Sequence, residues 1–430
     1  MTTVVVVGSG PNGLTAAAYL AREGLEVTVL EAESTIGGAC RSDRVGETVV
    51  DRFSTGHPLA HASPALRDVG LEVQWGTAEL DVAHPLPDAV GTLADVPDCG
   101  PEVMAAFFGP MPEVPLHPRL ALRWGPLFGL PASVTAAALG RVGGAVFAGV
   151  AAHSITPQHL PLSSSIGYLL AGVRPWPVPL GGSQSISDGL ARIVRSHGGT
   201  IRTGERVTEL PHADLVMLDT GVPAARELLG ERAPRWLRRR NWRFGPAAFK
   251  VDLVVDGGIP WAQEQVRRSA FVHLGGTARE IADKEMMVNR GRMPDRPVLI
   301  VSQQYLADPS RCSGTLAPVS MYAHCPNGFP GDLTESIIAE IERHAPGVRE
   351  RIVEVRSISP AALQATNANL VGGDIAAGAA LPSQLVRRPK LFDPYRLASG
   401  VYLCSAAAAP GPGVHGMVGW HAAKAALRRL

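Results

Sequence analysis

The stretch Val4-Val5-Val6-Val7-Gly8-Ser9-Gly10-Pro11-Asn12-Gly13 decides how this chain is read. Four β-branched residues in a row suit a strand buried on both faces, as in parallel sheets. The glycines that follow make a G-x-G-x-x-G. Leu14 to Glu23 is rich in Ala and reads as a helix that stops at Gly24. Glu26-Val27-Thr28-Val29-Leu30 reads as a second strand, with Glu31 at its end. A lone G-x-G-x-x-G is weak, but strand, glycine turn, helix, strand and acidic residue together form the full dinucleotide-binding context. Gly8 makes the tight turn, Gly10 lets backbone approach a pyrophosphate, and Gly13 lets helix and strand pack closely. Free N–H groups at the helix start attract phosphate charge. Glu31 can accept both hydroxyls of the adenosine ribose and would repel a 2′-phosphate.

Working outward, the 430 residues suggest two or three domains. The 40 basic and 39 acidic residues nearly cancel, which argues against a nucleic-acid partner. The 47 glycines and 36 prolines show no collagen period or repeat, so many special backbone positions are needed. Five widely spaced cysteines, with no C-x-x-C, fit a reducing, cytoplasmic compartment and no zinc site. No H-E-x-x-H and no G-x-S-x-G elbow with triad-like surroundings occurs, so no metal is expected. The N-terminal run lacks the basic flank and cleavage site of a signal peptide.

Between Arg141 and Arg174 there is no Asp, Glu, Lys or Arg. Pro157, Pro161 and Ser163-Ser164-Ser165 would be costly in hydrocarbon, so this reads as two apolar elements walling a core or pocket. A surface dipping into a membrane is the sharper alternative.

Beyond Glu31 lies Ile36-Gly37-Gly38-Ala39-Cys40-Arg41. A glycine pair here lies outside the basic NAD fingerprint and looks like the second phosphate- and flavin-approaching loop of FAD enzymes. Arg41 would bring charge to the pyrophosphate or flavin. At the far end, Val401-Tyr402-Leu403-Cys404 reads as a strand. The glycine-rich turn Ser405 to Gly419 and an Ala-rich helix follow. Such a helix would point its N-terminal dipole at the flavin.

Together these ends resemble the phytoene-desaturase-like family of FAD-dependent oxidoreductases, near the amine-oxidase superfamily. The resemblance extends through Pro179-Leu180-Gly181-Gly182-Ser183, a helix over Ile186–His197 and a strand ending near Val207. It takes in Asp308-Pro309-Ser310-Arg311, Gly372-Gly373-Asp374-Ile375 and Arg388-Pro389. It implies an α/β fold: a discontinuous Rossmann-like FAD domain (1–60, 178–235, 390–430) and a mixed α+β substrate domain (61–177, 236–389). It implies FAD held by Gly8, Gly10, Pro11, Asn12, Gly13, Glu31, Gly37, Gly38, Arg41, Val207, Ser405, Gly413, Val414 and Met417. Val207 would contact adenine through its backbone. In three respects the chain departs from the family. Ser405 and Pro412 stand where the family has glycines, and the small β-meander after Val207 is missing.

His415 lies in the turn nearest the presumed flavin face and is the candidate acid or base; the alternative is a packed histidine at a helix start. His421 reads as structural, and so, more often than not, do His57 and His61. The basic cluster from Arg235 to Arg243, including Arg240, reads as a solvated helix end or linker. The expected reaction is a desaturation or dehydrogenation: a hydrophobic substrate gives a hydride to flavin N5, loses a proton and gains a double bond. Oxygen or a quinone would take the electrons onward. A non-redox isomerase or cyclase using the same flavin is the runner-up, and a flavin-free binding protein the third reading. Substrate and oligomeric state are not legible.

Overall fold

The computed structural model describes residues 1–110, 118–239, 241–385, 388–390 and 392–430. Arg240 of the basic cluster lies outside them. The first strand, β1, is Thr3–Val7, followed by helix α1 over Pro11–Arg22 and strand β2 over Glu26–Leu30. Helix α1 begins three residues before the expected Leu14, because Pro11 takes its first position with φ already set for a helix.

Strand β1 sits inside a six-stranded sheet, paired in parallel with β2 on one side and Leu215–Leu218 on the other. Val401–Leu403 and Arg396–Ala398 extend the sheet at one end, and Thr200–Arg202 closes the other beside β2. The strand expected to run to Val207 stops at Arg202, and Gly204 turns the chain at φ +74°. No strand intervenes between Arg202 and Leu215. Helix α1 is buried along nearly its whole length, packed between Gln184–Ser196 and the closing helix Met417–Leu427. At Gly419 of that closing helix a Cβ would run into the Asn12 carbonyl, so only glycine allows this close crossing.

A second, seven-stranded sheet draws its strands from residues 80–92 and 247–358. Its long central pair, Ala247–Asp256 and Leu316–Cys325, is antiparallel with ten matched positions. The expected strands over 249–255, 298–303 and 317–324 fall within these elements or within two residues of Leu299–Ser302. The charge-free stretch forms two helices, Gly140–Ala152 and Ser164–Gly172, with the Pro157–Pro161 break between them. The first is buried from Gly143 to Ala152. No described helix is long and apolar enough to cross a membrane.

Candidate functional site

One cavity of about 1400 Å³ runs from the glycine turn to the helices of the apolar stretch. At one end its wall holds Gly8, Gly10, Pro11, Asn12, Glu31, Gly38, Arg41, Val207, Ser405, Gly413 and Val414. The structure thus brings eleven of the sequence-selected residues to one wall. Gly13, Gly37, Met417 and His415 are not on it.

The turn is built by close approach. A Cβ on Gly38 would come 2.8 Å from the Gly10 Cα. Glu31 is buried, and its Oε2 accepts from the Ser9 N–H (2.9 Å) and Ser9 Oγ (2.5 Å). Arg41, a charged residue usually found in solvent, is only 2% exposed. Its Nη2 lies 3.8 Å from Glu31 Oε1, and burial lowers its pKa.

A cofactor's fit is tested by what these groups leave unsatisfied. Arg41 Nε and Nη1, Asn12 Oδ1 and Thr220 Oγ1 are buried without hydrogen-bond partners. All three residues lie on the cavity wall. Buried polar atoms left unpaired are costly and rare, so this cluster of donors and acceptors suits a polar, anionic group placed there. The residues present therefore fit the pyrophosphate and sugar portion of FAD.

The departures are accommodated locally. Ser405 has ordinary negative φ and donates from Oγ to the Thr220 carbonyl at 2.6 Å. Pro412 sits between Gly411 (φ +115°) and Gly413 (φ +143°), which take the backbone angles it cannot.

His415 is placed elsewhere than sequence reading put its catalytic role. It is fully buried behind the turn, and its Nδ1 accepts the Met417 N–H at 3.1 Å. Phe107 and Phe108 meet its ring edge-on. Burial, then the nearby His421, push its pKa down to about 3, so the ring is neutral near pH 7. It behaves as a helix-start histidine. Met417 spends its N–H on that ring and lies with Leu59 and Ala65 in an apolar cluster. His421 donates from Nε2 to the Phe108 carbonyl (2.7 Å), and its ring stacks on Tyr395. His57 is buried off the cavity, and His61 packs edge-on against Trp75.

Sequence reading missed several polar groups on the wall. Asp219, at the end of the Leu215–Leu218 strand, accepts the Gly13 N–H at 3.1 Å. Burial drives its pKa up to about 7, against the hydrogen bonds from Gly13 and Gly10, with Glu31 adding to the rise. Arg388 is a buried cation on the wall. Toward the apolar end stand Lys250, paired with Asp252, and Tyr322, whose hydroxyl is 3.5 Å from His153 Nδ1. Their common position depends on distant pairings, for which no local spacing gives a signal. Around them the wall is apolar: Trp124, Phe128, Ile166, Leu169, Leu170 and Phe271.

A family model described as an NAD(P)-binding Rossmann-like domain matches residues 6–69. An uncharacterized protein of Mycobacterium tuberculosis is 25% identical over 424 residues, covering 79% of this chain and 78% of that protein. Among solved structures, an oxidoreductase from Methanosarcina mazei superposes with a TM-score of 0.67 at 17% identity, covering 99% of this chain and 100% of that one. Cyclohexylamine oxidase from Brevibacterium oxydans gives 0.60 at 14% identity, covering 100% and 99%. The chain shares its fold with these oxidoreductase and amine-oxidase structures, and its N-terminal part matches a Rossmann-like dinucleotide-binding domain.

Proposed function

We propose that this chain is an FAD-dependent desaturase or dehydrogenase acting on a hydrophobic substrate. The observation that carries the reading is one continuous cavity, which joins the polar glycine turn to a pocket walled by aromatic and aliphatic side chains. Bound FAD would supply the acceptor for a hydride at its N5. The protein's own part is to hold the dinucleotide through the glycine turn, Asn12, Glu31, Arg41 and Ser405. The apolar wall excludes water and orients the substrate. On this reading residues 1–60, 178–235 and 390–430 serve the cofactor, and 61–177 with 236–389 serve the substrate. Oxygen or a quinone fits as electron acceptor.

The test is direct. Purified protein should show the absorption spectrum of an oxidised flavin near one per chain. Anaerobic mixing with the true substrate, found by screening apolar compounds, should bleach it. Product formed without bleaching would replace the proposal by a non-redox isomerase or cyclase. Protein with no flavin and no affinity for added FAD would sink both.

A further inference from the structure

Arg388 stands out among the charged groups on the cavity wall. It is 5% exposed. Among the described residues no carboxylate lies within 4.0 Å of it. Its Nη2 donates to the Ala376 carbonyl, while its Nε has no partner. The other buried cations near the cavity are already paired: Lys250 with Asp252, and Arg41 with Glu31. The nearest acidic partner for Arg388 is Asp374, which is spent elsewhere. Its carboxylate accepts the N–H groups of Gly245 (2.7 Å), Ala376 (2.7 Å) and Gly378 (3.0 Å). Burial raises the Asp374 pKa despite those bonds and the pull of the Arg388 charge.

Burial pulls the Arg388 pKa down to about 10, so the guanidinium stays charged near neutral pH. A buried charge without a paired opposite charge is strongly unfavourable, and its usual remedy is a hydrogen-bonded counter-ion. The planar guanidinium fork suits an oxyanion, above all a carboxylate. The same cavity is also lined by the apolar Phe244, Ala377, Ala380, Leu385 and Pro410.

We propose that Arg388 is the anion-recognition subsite of the substrate cavity, and that the substrate is an amphipathic carboxylate: an apolar body with an oxyanion head. This rests on the functional reading above and narrows its substrate class. The shared oxyanion chemistry could also come from the cofactor's pyrophosphate, and the experiment separates the two.

The probes are decanoate and 1-decanol, titrated calorimetrically into the flavin-loaded protein and into Arg388→Met and Arg388→Lys. Flavin content is read first, from the ratio of flavin to protein absorbance. The proposal expects decanoate to bind one per chain and Arg388→Met to weaken it at least tenfold. Arg388→Lys should recover most of that loss, and all three proteins should bind 1-decanol alike. Decanoate that fails to bind the native protein, or binds Arg388→Met unchanged, overturns it. Loss of flavin from both variants also overturns it and assigns the guanidinium to the cofactor. Native protein without flavin refutes the enzyme reading, while the decanoate titration still judges the subsite.

Discussion

Asp51 and Arg311 stand 260 positions apart in sequence and meet at 2.8 Å, both side chains fully out of solvent. Arg311 also donates to Asp308 Oδ2 (3.1 Å) and to the Pro179 carbonyl (3.0 Å). Asp51 Oδ1 in turn accepts the Ser183 N–H at 2.7 Å. This network ties the loop before the Gln184–Ser196 helix to the segment that follows the Leu299–Ser302 strand. Replacing Arg311 by Met leaves two buried carboxylates, Asp51 and Asp308, without their cation and held only by neutral donors such as the Ser183 and Gly181 N–H groups. A loss of about 3–5 kcal/mol is expected, read from urea unfolding. Burial works to raise the Asp51 pKa, but Arg311 and the Ser183 N–H outweigh it and the net shift is downward. The bond's contribution is therefore present above the ordinary carboxylate pKa and fades as pH falls through the folded value. Arg311→Met should flatten that acid limb.

Asp219 has the opposite sign. Its raised pKa means that the stability belonging to its protonated form is present at low pH and lost as pH rises through about 7. A deprotonated Asp219 beside Glu31 also opposes a bound pyrophosphate. Asp219→Asn should bind FAD about tenfold more tightly at pH 8, with the difference vanishing below pH 5. Fluorescence titration of FAD into apoprotein checks this; equal affinities at pH 8 would refute it.

Gly38 has φ +55°, and any Cβ there meets the Gly10 Cα. Gly38→Ala combines left-handed strain of about 1–2 kcal/mol with that contact. Flavin affinity should drop tenfold or more while the far-ultraviolet circular dichroism stays native.

His415 lies off the cavity wall and is neutral across pH 5–9. His415→Leu removes the acceptor of the Met417 N–H, at an expected cost of about 1–3 kcal/mol of stability. The pH profile of flavin reduction should keep both its shape and its midpoints. A lost acid or base limb would return His415 to a chemical role.

The parts legible in the sequence are those fixed by local spacing. The βαβ unit around Gly8–Gly13 shows itself through periodicity, turn chemistry and the acidic residue at position 31. The closing strand and helix show themselves in the same way. What stayed hidden depends on distant partners. Arg388 looks like any basic residue until the cavity forms around it. Asp219 ends an ordinary strand, and its pKa is raised by burial beside a turn more than 200 positions away, whose Gly13 N–H it accepts. The misjudged strand end at Val207 has a local cause, since Gly204 turns the backbone there. Its loop is then held by N–H bonds from Gly204 and Glu205 to the Glu33 and Glu31 carbonyls. The place of His415 in the turn points to the chemistry, but the residue is off the cavity wall, its ring against Phe107 and Phe108.

The crossing of Asn12 and Gly419 joins segments about 400 positions apart. A ribosome making this protein releases the glycine turn long before the helix that packs against it. The wall that the turn and this helix build together therefore cannot be complete until the helix has left the tunnel, and any ligand that needs both must wait for it.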